Sequence, residues 1–218
     1  MKIIIYGTGQ IGRVVSQILK DAGHEVIGYV DDNVSLHSKK INGIQVLGGG
    51  RCLLKRKKYD RVCLGIGTID TRKKTLGWLS KNKIKLMSAI HPSVIISSDA
   101  KIGKGVIIGA NSVVYGNTKI GLGTFIGPSV TVSHDTIVGK FCLISVGSII
   151  GARVIIQEEV FIGSGATLTP KRLKVDSKLL VQKNAIIGAG SLVIENVKKK
   201  EKVAGVPAKP INLSKKLN

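Results

Sequence analysis

At 218 residues the chain is long enough for one large domain or two small ones, and a hydrophobic content of 43% excludes wholesale disorder. Lys+Arg number 34 against 13 Asp+Glu, a formal charge of +21, while aromatics are 4% and glycines 27. Few rings and many glycines are unusual for a core of interdigitated bulky side chains and point to narrow, similar packing layers.

No apolar run approaches the ~18 residues of a membrane-spanning helix. Met1–Gly7 is too short an apolar stretch for a signal peptide, so a cytoplasmic chain without membrane insertion is expected. Cys52, Cys63 and Cys142 are odd in number, widely spaced and lack zinc-ligand spacing. They read as reduced, small hydrophobes with no metal site.

The first elements alternate between strand and helix. Lys2–Tyr6 is a short apolar run of the kind a buried parallel strand needs. Gly7-Thr8-Gly9-Gln10-Ile11-Gly12 follows, then a predicted helix over Arg13–Ala22 with Val14, Val15, Ile18 and Leu19 at helical spacing and Gly23 as its cap. Glu25–Val30 predicts a second strand ending in Asp31-Asp32-Asn33. Arg61–Ile66 predicts a third, bounded by Gly65-Ile66-Gly67, and Thr71–Asn82 a basic helix. The Lys55–Lys58 run reads as a solvated face. Residues 1–88 are therefore expected to form a small Rossmann-like α/β domain.

Gly7, Gly9 and Gly12 after a strand, with Asp31 19 residues beyond Gly12, satisfy the dinucleotide fingerprint. Alone, that pattern points to NAD. Fewer than 90 residues is half a dinucleotide fold, however, and no dehydrogenase substrate domain follows. Backbone N–H groups at the helix start favour phosphate in either reading. Gly12 also fits a merely tight strand-to-helix turn. Trp78 reads as packing, and His24 and His37 sit in predicted turns with no assigned role.

From Ile90 the period changes. Fourteen consecutive six-residue steps, from Ile90 to Leu168, all carry Ile, Val or Leu, and glycine follows at 103, 109, 121, 127, 139, 151 and 163. Four residues after each aliphatic stands a small or β-branched residue, from Val94 through Ala166. One residue is read as inserted within Leu168–Lys174, with the register resuming at Val175, Val181, Ile187 and Val193. This is the hexapeptide repeat of a parallel β-helix, each step making one face of a triangular coil, with glycine expected at the corners. Residues 89–197 would form about six coils, and the tail 198–218, with Gly205-Val206-Pro207-Ala208-Lys209, would close the open end.

The excess charge divides evenly, +11 over residues 1–88 and +10 over 89–218. A groove-reading protein concentrates its charge beside aromatics or a recognition helix, and neither is present, so no nucleic-acid partner is expected. An evenly basic surface suits small polyanions such as nucleotide-sugars and coenzyme A.

Within the regular coils beyond their first step, His134 is the sole histidine, at an outward-facing position with Asp135 next to it. A neutral imidazole, with an ordinary pKa of about 6.5, is a competent proton acceptor near neutral pH, and a neighbouring carboxylate can hold its tautomer. His91-Pro92 marks the start of the prism and reads as a structural cap.

A hexapeptide β-helix carrying His134-Asp135, ending in Gly205–Lys209 and preceded by a small nucleotide-type domain, resembles the sugar acetyltransferases of the NeuD/PglD type. The resemblance covers nearly the whole chain: Gly7–Gly12, Val30-Asp31-Asp32, Gly65-Ile66-Gly67, Ile90-His91-Pro92-Ser93, His134-Asp135, Ser145-Val146-Gly147 and Gly205–Lys209. It implies a left-handed β-helix and a homotrimer with acetyl-CoA between neighbouring prisms. His134 would be the general base and Asp135 the acid that orients it. Gly151 and Ala152 would supply backbone N–H groups to the oxyanion, and Ala166, Gly188, Gly205, Val206 and Pro207 would line coenzyme A. Gly7, Gly9, Gly12, Asp31, Asp32, Gly65 and Gly67 would hold a nucleotide-linked amino sugar.

The implied activity is acetyl-CoA-dependent N-acetylation of a UDP-4-amino-4,6-dideoxy sugar for bacterial surface glycans. Leu143 stands where some relatives have a second histidine, and Gln10-Ile11 where a Gly-His pair is common. O-acetylation of a sialic or related nonulosonic acid therefore stays open. A non-catalytic nucleotide-binding scaffold is the alternative from another class.

Overall fold

The computed structural model describes residues 1–55, 58–169 and 178–212. Two compact units divide the chain, Met1–Pro92 with Lys104–Ile107, and Ser93–Gly103 with Ile108–Asn218.

The first unit is an open α/β layer. Strand β1 (Lys2–Tyr6) is central in a parallel sheet, between β2 (Glu25–Val30) and a strand at Arg61–Leu64. Ile3, Ile4 and Ile5 are fully buried, which is why that run is continuously apolar. Helix α1 (Gln10–Asp21) begins three residues earlier than expected and buries Val15, Ile18 and Leu19, whereas Val14 is exposed. Helix α2 (Cys52–Lys55) is a single turn, and helix α3 (Ile69–Lys81) turns Arg72, Thr75 and Leu79 inward. A two-stranded hairpin, Lys40–Ile41 with Ile44–Gln45, has Asn42 and Gly43 at φ 49° and 78°. Asn-Gly between two isoleucines is the strongest short hairpin signal, and it was present in the sequence. Lys55 and Lys58 are exposed, and the rest of that basic run lies outside the described residues.

The second unit is a left-handed parallel β-helix. Two-residue strands stack 18 residues apart on three faces: Val113 opposite Thr131, Lys119 opposite Ile137, Phe125 opposite Leu143. Interior positions Val114, Ile126, Val132, Ile144, Ile150 and Ile162 are fully buried, while Ile96 and Ile102, in the first coil, are half-buried. At the far end Lys202–Ala204 extends one face, and Lys209–Pro210 folds back antiparallel on it.

Two sequence expectations need correction. The pairing offset grows from 18 to 25 across one coil, Val154 opposite Leu179 and Ile156 opposite Val181. Seven extra residues therefore enter between Leu168 and Leu179, where one was expected, and Val181 is the next interior position. Val175, and the part of Leu168–Lys174 beyond Thr169, lie outside the described residues. The glycines after the aliphatics are also not the turning residues. The left-handed conformation falls two residues later, at Asn111, Asn117, Ser129, Asp135, Phe141, Arg153 and Glu159 among others, with φ between 52° and 62°.

Steric clearance explains the glycines instead. A Cβ on Gly103, Gly109, Gly121, Gly127, Gly139 or Gly163 would sit 2.5 to 2.7 Å from backbone atoms of the next coil. Buried small residues add a second tie between coils. Ser112, Thr124, Thr136 and Ser148 each donate a hydroxyl to the carbonyl 15 residues on, at 2.8 to 3.0 Å, and the Cys142 thiol does the same at 3.1 Å. Each bond satisfies a hydroxyl whose burial alone would cost about 1–3 kcal/mol.

Gly121→Ala should therefore destabilise the chain by about 1–3 kcal/mol, because the coils cannot part to admit a methyl group. Asn111→Gly, at a left-handed corner, should stay within about 0.5 kcal/mol of wild type. Urea denaturation of the two variants checks the contrast.

Candidate functional site

Each unit carries its own constellation. In the first, Gly7 (φ 106°) ends β1 and Gly9 begins α1 without a side-chain cap. Gly12 packs so that a Cβ would strike the Gly7 carbonyl, and a Cβ on Gly65 would meet the Gly12 Cα at 2.6 Å. These three glycines let two strand-to-helix loops close on each other. Gly7, Gly9, Asp31, Asp32, Gly65 and Gly67 line a cavity of about 300 Å³, with Thr8, Ile66, Thr68 and Thr71. Gly12 is not among its lining residues and stands in the tight turn against Gly7.

The two aspartates are committed to the fold. Asp31 Oδ2 accepts from the Thr8 N–H at 2.9 Å and the Thr8 hydroxyl at 2.7 Å, and Oδ1 accepts from the Asn33 N–H at 3.0 Å. Burial opposes its ionisation, but the Thr8 hydroxyl and the two N–H bonds outweigh that and hold its carboxyl below the usual range. Asp32 accepts from the Tyr6 hydroxyl at 2.8 Å and the Gly50 N–H at 2.9 Å. Burial, then this contact, pushes the Tyr6 phenol well up.

A larger hollow of about 580 Å³ shares Tyr6, Asp32 and Thr75 with the first and adds His37, Gly49, Gly50, Arg51, Lys74 and Trp78. His37 bonds the Asp31 carbonyl through Nε2 at 2.8 Å, and Trp78 meets Tyr6 edge-on at a centroid distance of 6.4 Å. Sequence reasoning missed this wall, although Gly48-Gly49-Gly50 was a visible loop signal. It missed Arg72 too. That side chain is fully buried, its guanidinium donating to the Ile66 carbonyl at 2.8 and 2.9 Å and so pinning the Gly65–Gly67 loop.

In the prism, the His134 Nδ1 lies 2.7 Å from Asp135 Oδ2, with side chains 57% and 44% exposed. The His134 and Asn117 bonds hold the Asp135 carboxyl below its usual range. An ionised carboxylate only accepts, so Nδ1 carries the proton that faces Asp135, which in a neutral ring makes Nε2 the basic nitrogen. Ala152 is 18 residues on, at the equivalent position of the next coil, and its N–H has no acceptor among the described residues. The Gly151 N–H is not available for an oxyanion, because it donates to the Leu168 carbonyl at 2.8 Å. Ala166 is fully buried, with its N–H turned to Gly163. Gly188 is half-buried, and Gly205, Val206 and Pro207 form an exposed turn anchored on Leu192.

Other groups are structural. His91 Nε2 lies 3.2 Å from Asp21 Oδ2. Burial pushes the Cys63 and Cys142 thiols up to about 12, which makes both unreactive. Among the described residues no cluster of three or more His, Cys, Asp or Glu could hold a metal, and no helix is long and apolar enough to cross a membrane.

Residues 2–79 match a family model described as the PglD N-terminal domain, and residues 79–187 match one described as the GMPPB C-terminal domain. PerB from Caulobacter crescentus, solved with CoA and GDP-perosamine, is 26% identical at a TM-score of 0.87, over 97% of this chain and 98% of its own. The acetyltransferase domain of PglB from Neisseria gonorrhoeae, solved with acetyl coenzyme A, is 26% identical at a TM-score of 0.85, over 96% and 98%. WeeI from Acinetobacter baumannii shares the fold, at 23% identity and a TM-score of 0.84 over 97% and 100%.

Asp31→Asn should flatten the acid limb of stability. A carboxyl depressed on folding stabilises above its ordinary pKa of about 3.9, and that contribution is lost as pH falls through the lower folded value. Urea midpoints measured between about pH 6 and 3 should fall less steeply in the variant than in wild type.

Proposed function

Because the chain belongs to the sugar acetyltransferases of the NeuD/PglD type, we propose that it moves the acetyl group of acetyl-CoA onto the amine of a nucleotide-linked 4-amino-4,6-dideoxy sugar, with His134 as general base. The observation that carries the assignment is the His134–Asp135 pair at 2.7 Å on an outward corner of the prism.

The chemistry follows from the tautomer. The sugar amine attacks the thioester carbonyl carbon, and its nitrogen sheds a proton to His134 Nε2 as the C–N bond forms. Asp135 stabilises the resulting imidazolium. The Ala152 N–H is the donor for the oxyanion, taking over the role expected of Gly151 and Ala152 together. On collapse the C–S bond breaks, and the coenzyme A thiolate leaves and takes the proton back from the imidazolium. Coenzyme A lies along the later coils toward Gly188 and the Gly205–Pro207 turn, in the groove between two prisms of a homotrimer.

In the first unit, the uncapped start of α1 with Gly7 and Gly9 receives the diphosphate, since free N–H groups and the helix dipole both favour it. Asp32 and the hollow bounded by Trp78 and Tyr6 take the nucleoside. Uridine is the carrier expected from the sequence. GDP-perosamine bound to PerB supports guanosine as a second reading.

UDP- and GDP-linked 4-amino-4,6-dideoxyhexoses, incubated with acetyl-CoA while free thiol is followed, should release thiol with one carrier preferred. His134→Ala should lower kcat by about 10²–10⁴-fold with little change in KM for acetyl-CoA. Undiminished turnover in that variant would remove the base assignment. Light scattering should give the mass of three chains.

A further inference from the structure

The imidazole at position 134 is held by a run of side chains along one corner of the prism. Asn117 and Asp135 occupy the same left-handed corner in consecutive coils, at φ 52° and 57°, and the Asp135 N–H donates to the Gly116 carbonyl at 3.1 Å. Asn117 Nδ2 donates to Asp135 Oδ1 at 2.6 Å, leaving Oδ2 to face His134 Nδ1 at 2.7 Å. One coil before, the Asn117 N–H donates to Asp99 Oδ2 at 2.9 Å. One coil after, the Arg153 N–H donates to the His134 carbonyl at 3.2 Å. Backbone bonds thus tie the coils of Asn117, Asp135 and Arg153 where these side chains meet, and the Asp99 carboxylate ties in the coil before.

The residue type is informative. A left-handed backbone favours Gly, Asn and Asp. Of these three, Asn alone carries a side-chain N–H donor, and the group it meets is a carboxylate that accepts only. Asn therefore meets the backbone demand and the hydrogen-bond demand at once.

We propose that Asn117 is a positioning residue for acetyl transfer: its amide clamps the Asp135 carboxylate so that one oxygen faces His134, which fixes the imidazole proton on Nδ1 and the lone pair on Nε2. The proposal rests on the reading of His134 as the base. Asn117 acts through Asp135 and touches neither thioester nor amine.

Two variants keep the left-handed backbone. Asn117→Gly deletes the donor, and Asn117→Asp replaces it with a second carboxylate facing Asp135. Nitrogen-15 NMR of the His134 ring reads the tautomer without turnover. Wild type should show one tautomer, protonated at Nδ1, and Asn117→Gly a mixture. With acetyl-CoA and the accepted sugar, Asn117→Gly should lose about tenfold in kcat while KM for acetyl-CoA stays within about twofold, the pattern of a group that acts on the chemical step. In Asn117→Asp the acid limb of the kcat/KM profile should move up, because added negative charge favours the imidazolium. A single wild-type tautomer and an unmoved acid limb in both variants would overturn the clamp. A mixed tautomer in Asn117→Gly alongside full turnover in His134→Ala would overturn the base assignment beneath it and leave the clamp as a structural contact.

Discussion

Backbone hydrogen bonding between coils, at an 18-residue offset that widens to 25 across one coil, is the constraint on which the prism depends. Once one coil is laid on another, every interior position must be narrow enough for the next to fit. Aliphatics of similar size fill the centre, and buried hydroxyls are tied off by carbonyls 15 residues on. A glycine stands wherever two backbones approach too closely for a methyl group. Low aromatic content and abundant glycine follow from that single requirement. The same stacking sets Ala152 beside His134 and Asp135 beside Asn117, so the chemistry inherits its spacing from the ladder.

In the first unit the controlling feature is also close backbone approach. Gly7, Gly12 and Gly65 allow two loops to meet, and the buried Arg72 guanidinium, bonded to Ile66, holds one of them. A buried guanidinium is tolerated because its donors are matched to carbonyls, and leaving it unpaired would be costly. Asp31 and Asp32 spend much of their hydrogen-bonding capacity on Thr8, Asn33, Tyr6 and Gly50. Both carboxylates are thereby held in fixed positions at the cavity wall.

Most of the architecture was legible because it is periodic. The aliphatics at six-residue intervals marked the interior, and Lys2–Tyr6 marked the central strand. Two details escaped, for physical reasons. A glycine looks alike in a sequence whether it permits a positive φ or merely clears space, so the corner was assigned two residues too early. A seven-residue insertion that happens to carry Val175 at seven residues past Leu168 mimics a one-residue slip. At the site, His134-Asp135 stood out because polar residues are conspicuous in a repeat. Asn117, Ala152 and Arg72 did not, since each acquires its place only through partners distant in the chain. Tyr6, His37 and Trp78 are likewise gathered by folding.

The corners tolerate side chains as different as Asn117, Asp135, Phe141, Arg153 and Glu159, all in one backbone conformation. The lumen admits little beyond Ile, Val and Leu at its six-residue positions. Stability and reactivity are thereby written on separate residues of the same hexad. A lineage built on this scaffold can exchange its reactive groups one corner at a time while the stack that supports them is left untouched, which makes the prism an unusually permissive platform for acquiring new acceptors.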